Sequence, residues 1–194
     1  MLYSLFLHLS DTYSILNVFK FLTVRTGLAM FTSMLVVFLI GTPFINYFSS
    51  HHIHDPIRED GPADHIVKKI GTPTMGGVLI LIGLFSGILL WGDLFNPYIW
   101  FLIFIVGSFG LLGAYDDYKK IKKKNSSGIS SKFKFLWQII LAIIGVLILI
   151  YFVDTPDLQK LYFPFFKNLI INLGWFFIPF YIFIIVGSSN AVNL

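Results

Sequence analysis

Five stretches of this 194-residue chain contain no Asp, Glu, Lys or Arg: residues 26–54, 70–92, 94–115, 135–153 and 168–194. A helix needs about 20 mainly apolar residues to cross the hydrocarbon core of a bilayer, and each stretch can supply them. The chain is 56% hydrophobic and 12% charged, whereas an ordinary soluble domain is about 25% charged. Most of its 22 Phe residues are spread through the charge-free runs, so one aqueous core could not bury them. Backbone groups in lipid must bond within their own segment, and no alternating barrel pattern is present, so the spans read as helices.

The expected fold class is all-α: a polytopic membrane helix bundle forming a single membrane domain over residues 1–194. Its spans are expected near 28–48, 77–91, 97–115, 135–153 and 169–188, the second being the shortest. Residues 1–21 are interrupted by Asp11 and Lys20, and no basic region precedes residues 5–9. They read as an interfacial helix or cap rather than a cleaved signal peptide. Cysteine is absent, which excludes disulfides, thiolate metal sites and Cys nucleophiles.

The charges sort by side. Of the 14 basic residues, three lie in loop 49–76 (Arg58, Lys68, Lys69) and seven in loop 116–134 (Lys119, Lys120, Lys122, Lys123, Lys124, Lys132, Lys134). The remaining four are Lys20, Arg25, Lys160 and Lys167. By the positive-inside rule both long loops are cytoplasmic, the N-terminus is outside and Leu194 is inside.

Asp116 and Asp117 follow the third run directly, at that cytoplasmic mouth. Adjacent carboxylates repel, and a divalent ion such as Mg²⁺ relieves the repulsion while binding a substrate phosphate. One of them could also act as a base. A purely structural reading competes, in which Asp116 pairs with Lys119 or Lys120 at i+3 or i+4. The lysines that follow serve as a topology determinant facing anionic headgroups, and lysine is also a good point charge for phosphate. No aromatic residues interleave them on a soluble face, so nucleic acid is not an expected partner. The segment 68–77, KKIGTPTMGG, reads as a Gly/Pro turn before a threonine-capped helix. Its glycines could also let backbone N–H groups approach a phosphate. His51, His52 and His54 lack a further ligand at a helpful spacing, so exposed interfacial histidines are the preferred reading. Ser130 and Ser131 read as a cap for the fourth span, with Trp137 as an interface anchor. Asn190 reads as a helix end.

Together these segments resemble the phospho-N-acetylmuramoyl-pentapeptide-transferase family of polyprenyl-phosphate N-acetylhexosamine-1-phosphate transferases. The matching motifs are PIREDGP at 56–62, KIGTPTMGG at 69–77, DDYKK at 116–120, KFKFLWQ at 132–138 and GSSNAVNL at 187–194. The resemblance implies transfer of phospho-N-acetylmuramoyl-pentapeptide from UDP-MurNAc-pentapeptide to undecaprenyl phosphate, with release of UMP and Mg²⁺ as cofactor. It makes Asp116 the base or lipid-phosphate activator, with Asp117 beside metal and substrate. Lys69, Thr74, Lys120, Lys124, Lys132 and Asn193 fall on positions that bind nucleotide or phosphate. It also implies a homodimer in the bacterial cytoplasmic (inner) membrane, active on the cytoplasmic face. The family continues past NAVNL with TDGLDG, further spans, a third aspartate that binds Mg²⁺ and a histidine-rich loop. The chain therefore corresponds to the N-terminal half of a family member and is expected to be inactive alone. The alternatives are a transferase using UDP-N-acetylglucosamine and a noncatalytic membrane scaffold or remnant. Transport is disfavoured, because no charge falls at mid-span.

Overall fold

A computed structural model describes residues 1–51, 75–123, 128–153 and 155–191. Helix α1 (Leu2–Leu9) and a 3₁₀ turn (Ser14–Lys20) lead into α2 (Leu22–Ser50). Next come α3 (Gly76–Trp91), α4 (Pro97–Lys123) and α5 (Ser131–Phe152). A second 3₁₀ turn (Pro156–Gln159) opens an antiparallel hairpin of β1 (Lys160–Phe163) and β2 (Phe166–Asn172). A third turn (Gly174–Phe176) leads into α6 (Phe177–Ala191).

The helices pack side by side in chain order, from α2 to α6. Glycines mark the seams, since a helix without a side chain there lets its neighbour's backbone approach. Gly83 and Gly87 of α3 meet Val37, Ser33 and Ala29 of α2, so these two helices run antiparallel. Gly110 faces Leu81, and Gly145 faces Ile105 and Phe101. The outward surface is apolar and open: Leu111 is 72% exposed and Phe183 73%. Such a surface needs hydrocarbon around it. The chain is a multi-pass, all-α membrane protein, as its charge-free runs imply.

Four helical segments are long and apolar enough to span: Leu22–Ser50, Pro97–Lys123, Ser131–Phe152 and Gly174–Ala191. Helix α3 has 16 residues, about 24 Å at 1.5 Å per residue, shorter than the roughly 30 Å of hydrocarbon. At the N-terminus, Phe6 stacks on Phe19 at 4.5 Å, and Phe19 stacks on Trp91 of α3 at 5.8 Å. Residues 1–21 thus form a cap, as their interrupted pattern implies.

The fifth span needs correction. Residues 169–172 belong to β2 rather than to a helix, and α6 begins at Phe177. The cause is local. The Asn172 side chain accepts the Gly174 N–H at 2.9 Å, and Gly174 has φ +50, a turn no helix passes through. Helix α3 is preceded by Met75 in the left-handed region (φ 67), and the threonines expected to cap it lie outside the described residues. One cap differs from expectation. Ser130 occupies the N-cap of α5, but its side chain makes no capping bond.

Candidate active site

Helix α4 runs past its apolar stretch and carries Asp116, Asp117 and Lys120 beyond it on one continuous rod. Adjacent positions on a helix point about 100° apart, so the two carboxylates face different neighbours. Asp116 is buried and turns toward α5. Its Oδ1 accepts the Ile129 N–H at 2.6 Å, and its Oδ2 lies 2.8 Å from the Lys120 ammonium. Asp117 turns toward α3 and bounds a small hollow of about 300 Å³ with Met75, Gly77 and Gly113. Lys120 spans both, reaching Asp117 Oδ1 at 3.3 Å. The i,i+3 and i,i+4 spacings place this ammonium over both acidic positions at once.

Gly128 passes directly against Asp116, and a Cβ there would run into the carboxylate and Lys120. Its lack of a side chain is what lets the loop before α5 close over Asp116 and deliver the Ile129 N–H. A cleft of about 660 Å³ opens here, lined by Asp116, Lys119, Lys120, Lys123, Ser130, Ser131, Lys134 and Asn190 among others. Four lysines and one carboxylate line it, and Ser130 and Ser131, where α5 begins, lie at its wall. Both features favour a multiply charged anion such as a diphosphate.

A polar bridge closes the far wall. Gln138 of α5, 2% exposed, accepts a hydrogen bond from Asn190 Nδ2 at 2.8 Å and donates to Ser189 Oγ at 3.4 Å. Buried amides with satisfied partners fix the relative position of the helices that carry them. Gln138 and Lys134 lie in the KFKFLWQ motif, but neither is among the residues singled out from the sequence, and Asn190 read as a helix end. Only the pairing of Gln138 with Asn190, 52 positions apart, draws them together, and no local pattern carries that.

Of the residues expected at the site, Asp116 and Lys120 line the cleft, Asp117 lies outside it on the opposite flank of α4, and Lys132 is exposed and outside the lining. Lys69, Thr74, Lys124 and Asn193 lie outside the described residues, as do His52 and His54. His51 Nδ1 sits 2.8 Å from the Tyr47 carbonyl, beside the Tyr47 ring. Among the described residues no three acidic or histidine side chains gather closely enough to hold a metal. Mg²⁺ needs fewer, because it is usually held by one or two carboxylates together with substrate phosphates and water. Asp117, whose side chain is 34% exposed beside Lys120, fits that demand. Asp116, with both oxygens engaged, fits it less well.

The family model described as glycosyl transferase family 4 matches residues 98–194. The model described as phospho-N-acetylmuramoyl-pentapeptide-transferase signature 1 matches residues 69–81. A protein of that transferase name from Pelagibacter ubique is 74% identical over the whole chain, which spans 54% of it. One from Caulobacter vibrioides is 49% identical over 92% of the chain and 50% of its own length. Another, from Thermodesulfovibrio yellowstonii, is 46% identical over the whole chain and 54% of its own length. The chain thus spans about half the length of the curated relatives it matches.

Proposed function

The chain belongs to glycosyl transferase family 4, and on that premise we propose that it carries the aspartate–lysine side of a phospho-N-acetylmuramoyl-pentapeptide-transferase active site. The supporting observation is the cleft that four lysines line together with Asp116 at the end of a membrane helix. The donor is UDP-MurNAc-pentapeptide and the acceptor undecaprenyl phosphate. A lipid phosphate oxygen attacks the sugar-linked phosphorus, a new P–O bond forms, and the bond to UMP breaks. Lys119, Lys123 and Lys134 hold the diphosphate, and Lys120 passes charge stabilisation between the two aspartates and the phosphate. Asp116 is the base that accepts a proton from the attacking lipid phosphate, or the group that activates it, and Gly128 with Ile129 holds its carboxylate in place. Asp117 is the residue to hold Mg²⁺, which offsets phosphate charge when bound. The active face is cytoplasmic by the lysine distribution, and the bacterial inner membrane is what the family resemblance implies. Lys69, Thr74, Lys124, Lys132 and Asn193 remain proposed nucleotide or phosphate contacts by motif, and the homodimer remains an expectation of the same kind.

The test is a chimera in which this chain replaces the matching N-terminal part of the Pelagibacter ubique relative. Purified in detergent with Mg²⁺ and both substrates, it is expected to release UMP, and Asp116→Asn is expected to lower the rate by roughly 10²–10⁴-fold. A monodisperse chimera that releases no UMP, or one indifferent to Asp116→Asn, overturns the reading. The 194-residue polypeptide expressed alone is expected to give no turnover in the same assay. UDP-N-acetylglucosamine as a competing donor separates the muramoyl reading from its alternative.

A further inference from the structure

The β1–β2 hairpin lies at the end of α5 opposite the lysine cleft. Helix α5 has 22 residues, about 33 Å along its axis, close to the roughly 30 Å of hydrocarbon it must cross. The hairpin therefore starts at the far membrane surface, and it is pinned there. Leu158, in the turn before β1, packs with Val153 and Leu149 at the end of α5, and the Leu173 N–H reaches the Gln159 carbonyl at 2.8 Å. Strand β1 has four residues, about 13 Å, so the ribbon stays close to that surface.

Apart from Lys160, Asn172 and the tip-proximal Lys167 and Asn168, what it presents is apolar on both faces. Tyr162 pairs with Ile170 on one face and Leu161 with Ile171 on the other. Tyr162, Leu169, Ile170 and Ile171 are all exposed, and at the tip Phe165 is 92% exposed and Phe166 66%. A two-stranded ribbon is marginal in water by itself. A docked protein or a second copy would cover one face, whereas an interfacial lipid layer surrounds both. Aromatic residues flank the ribbon, with exposed Tyr151 and Phe152 ending α5 and exposed Trp175 and Phe176 before α6. Such residues settle at headgroup level. Asp157 and Lys160 pair at 2.9 Å, which leaves Lys167 of β2 as the hairpin's remaining charge, and a lysine's long stem allows its ammonium to reach headgroup phosphates while its strand stays in the layer.

We propose that the hairpin is a membrane-interface anchor, its Phe-rich tip seated between headgroups and acyl chains of the leaflet opposite the lysine cleft. The chain has no cysteine, so Phe165→Cys and, separately, Phe166→Cys can each carry a single environment-sensitive fluorophore. The full chain is reconstituted in phosphatidylcholine–phosphatidylglycerol vesicles containing doxyl lipid labelled near the headgroup. Iodide is supplied in parallel samples on both faces of the membrane. The expected result is blue-shifted emission, strong loss to shallow doxyl lipid and little loss to iodide at both positions, in protein whose circular dichroism matches the unlabelled chain. Free quenching by iodide without loss to doxyl lipid overturns the proposal. So does protection from both quenchers: if it fades on dilution with lipid the occupant is a second copy, and if it persists the tip is folded onto its own chain.

Discussion

At the residue scale the site depends on Gly128 as much as on the aspartates, because the absence of a side chain there leaves room for the Asp116 carboxylate. Gly128→Ala forces the loop away and removes the Ile129 hydrogen bond. It is expected to cost about 1–3 kcal/mol of stability and, in the chimera, to lower UMP release by roughly 10²-fold. Thermal unfolding and the UMP assay check both. The two aspartates were legible in the sequence as a pair, and so was the i+4 contact from Asp116 to Lys120. Their separation onto different flanks follows from the helical angle between neighbours, once α4 is known to continue through Asp117. Gln138 and Asn190 were not legible, because a buried amide reads as an ordinary polar residue until its distant partner is known.

At the element scale, charge-free runs locate the helices well but do not show where within a run a helix begins, since an apolar strand segment continues the same run. Residues 169–172 were read as helix on that ground, and the turn at Asn172 and Gly174 decides otherwise. Within the bundle, the α2–α3 seam is tight. A Cβ at Gly87 would lie 2.7 Å from the Ala29 carbonyl, so Gly87→Ala is expected to lower stability by about 1–3 kcal/mol. Gly27→Ala in α2, with nothing within 4 Å, is expected to be neutral or to raise it by up to about 1 kcal/mol. Thermal unfolding of the two variants in one detergent gives the comparison. In the hairpin, the hydrogen bond from Lys160 and then that from Tyr162 hold the Asp157 carboxyl below its ordinary value. A group depressed in the folded state contributes stability above its unfolded value and loses it as pH falls through the folded one. The Asp157 carboxyl resonance is therefore expected to titrate below the ordinary midpoint of about 3.9, with hairpin amide protection weakening over that same acid range. Lys160→Ala should return the midpoint toward the ordinary value.

At the scale of the whole molecule, charge is concentrated at one end of an apolar bundle. Four lysines around one carboxylate attract an anion through a field that salt screens over about 8 Å at physiological ionic strength. UDP binding to the chimera, measured by calorimetry, is expected to weaken as salt rises, and Lys134→Ala is expected to flatten that dependence. Lys119, Lys120 and Lys123 share this field with Lys134, so a single removal should weaken binding rather than abolish it.

Helix α4 is also a ruler. From Pro97 to Asp116 the axis advances about 29 Å at 1.5 Å per residue, nearly the full depth of the hydrocarbon, and Lys123 stands about 10 Å higher still. The carboxylate thus sits at the altitude where a lipid's own phosphate already floats, while the upper lysines reach into water. A membrane-bound acceptor would not have to climb out of its layer, and a water-soluble donor would not have to sink into it. The two would meet at a height fixed by counting turns of one helix.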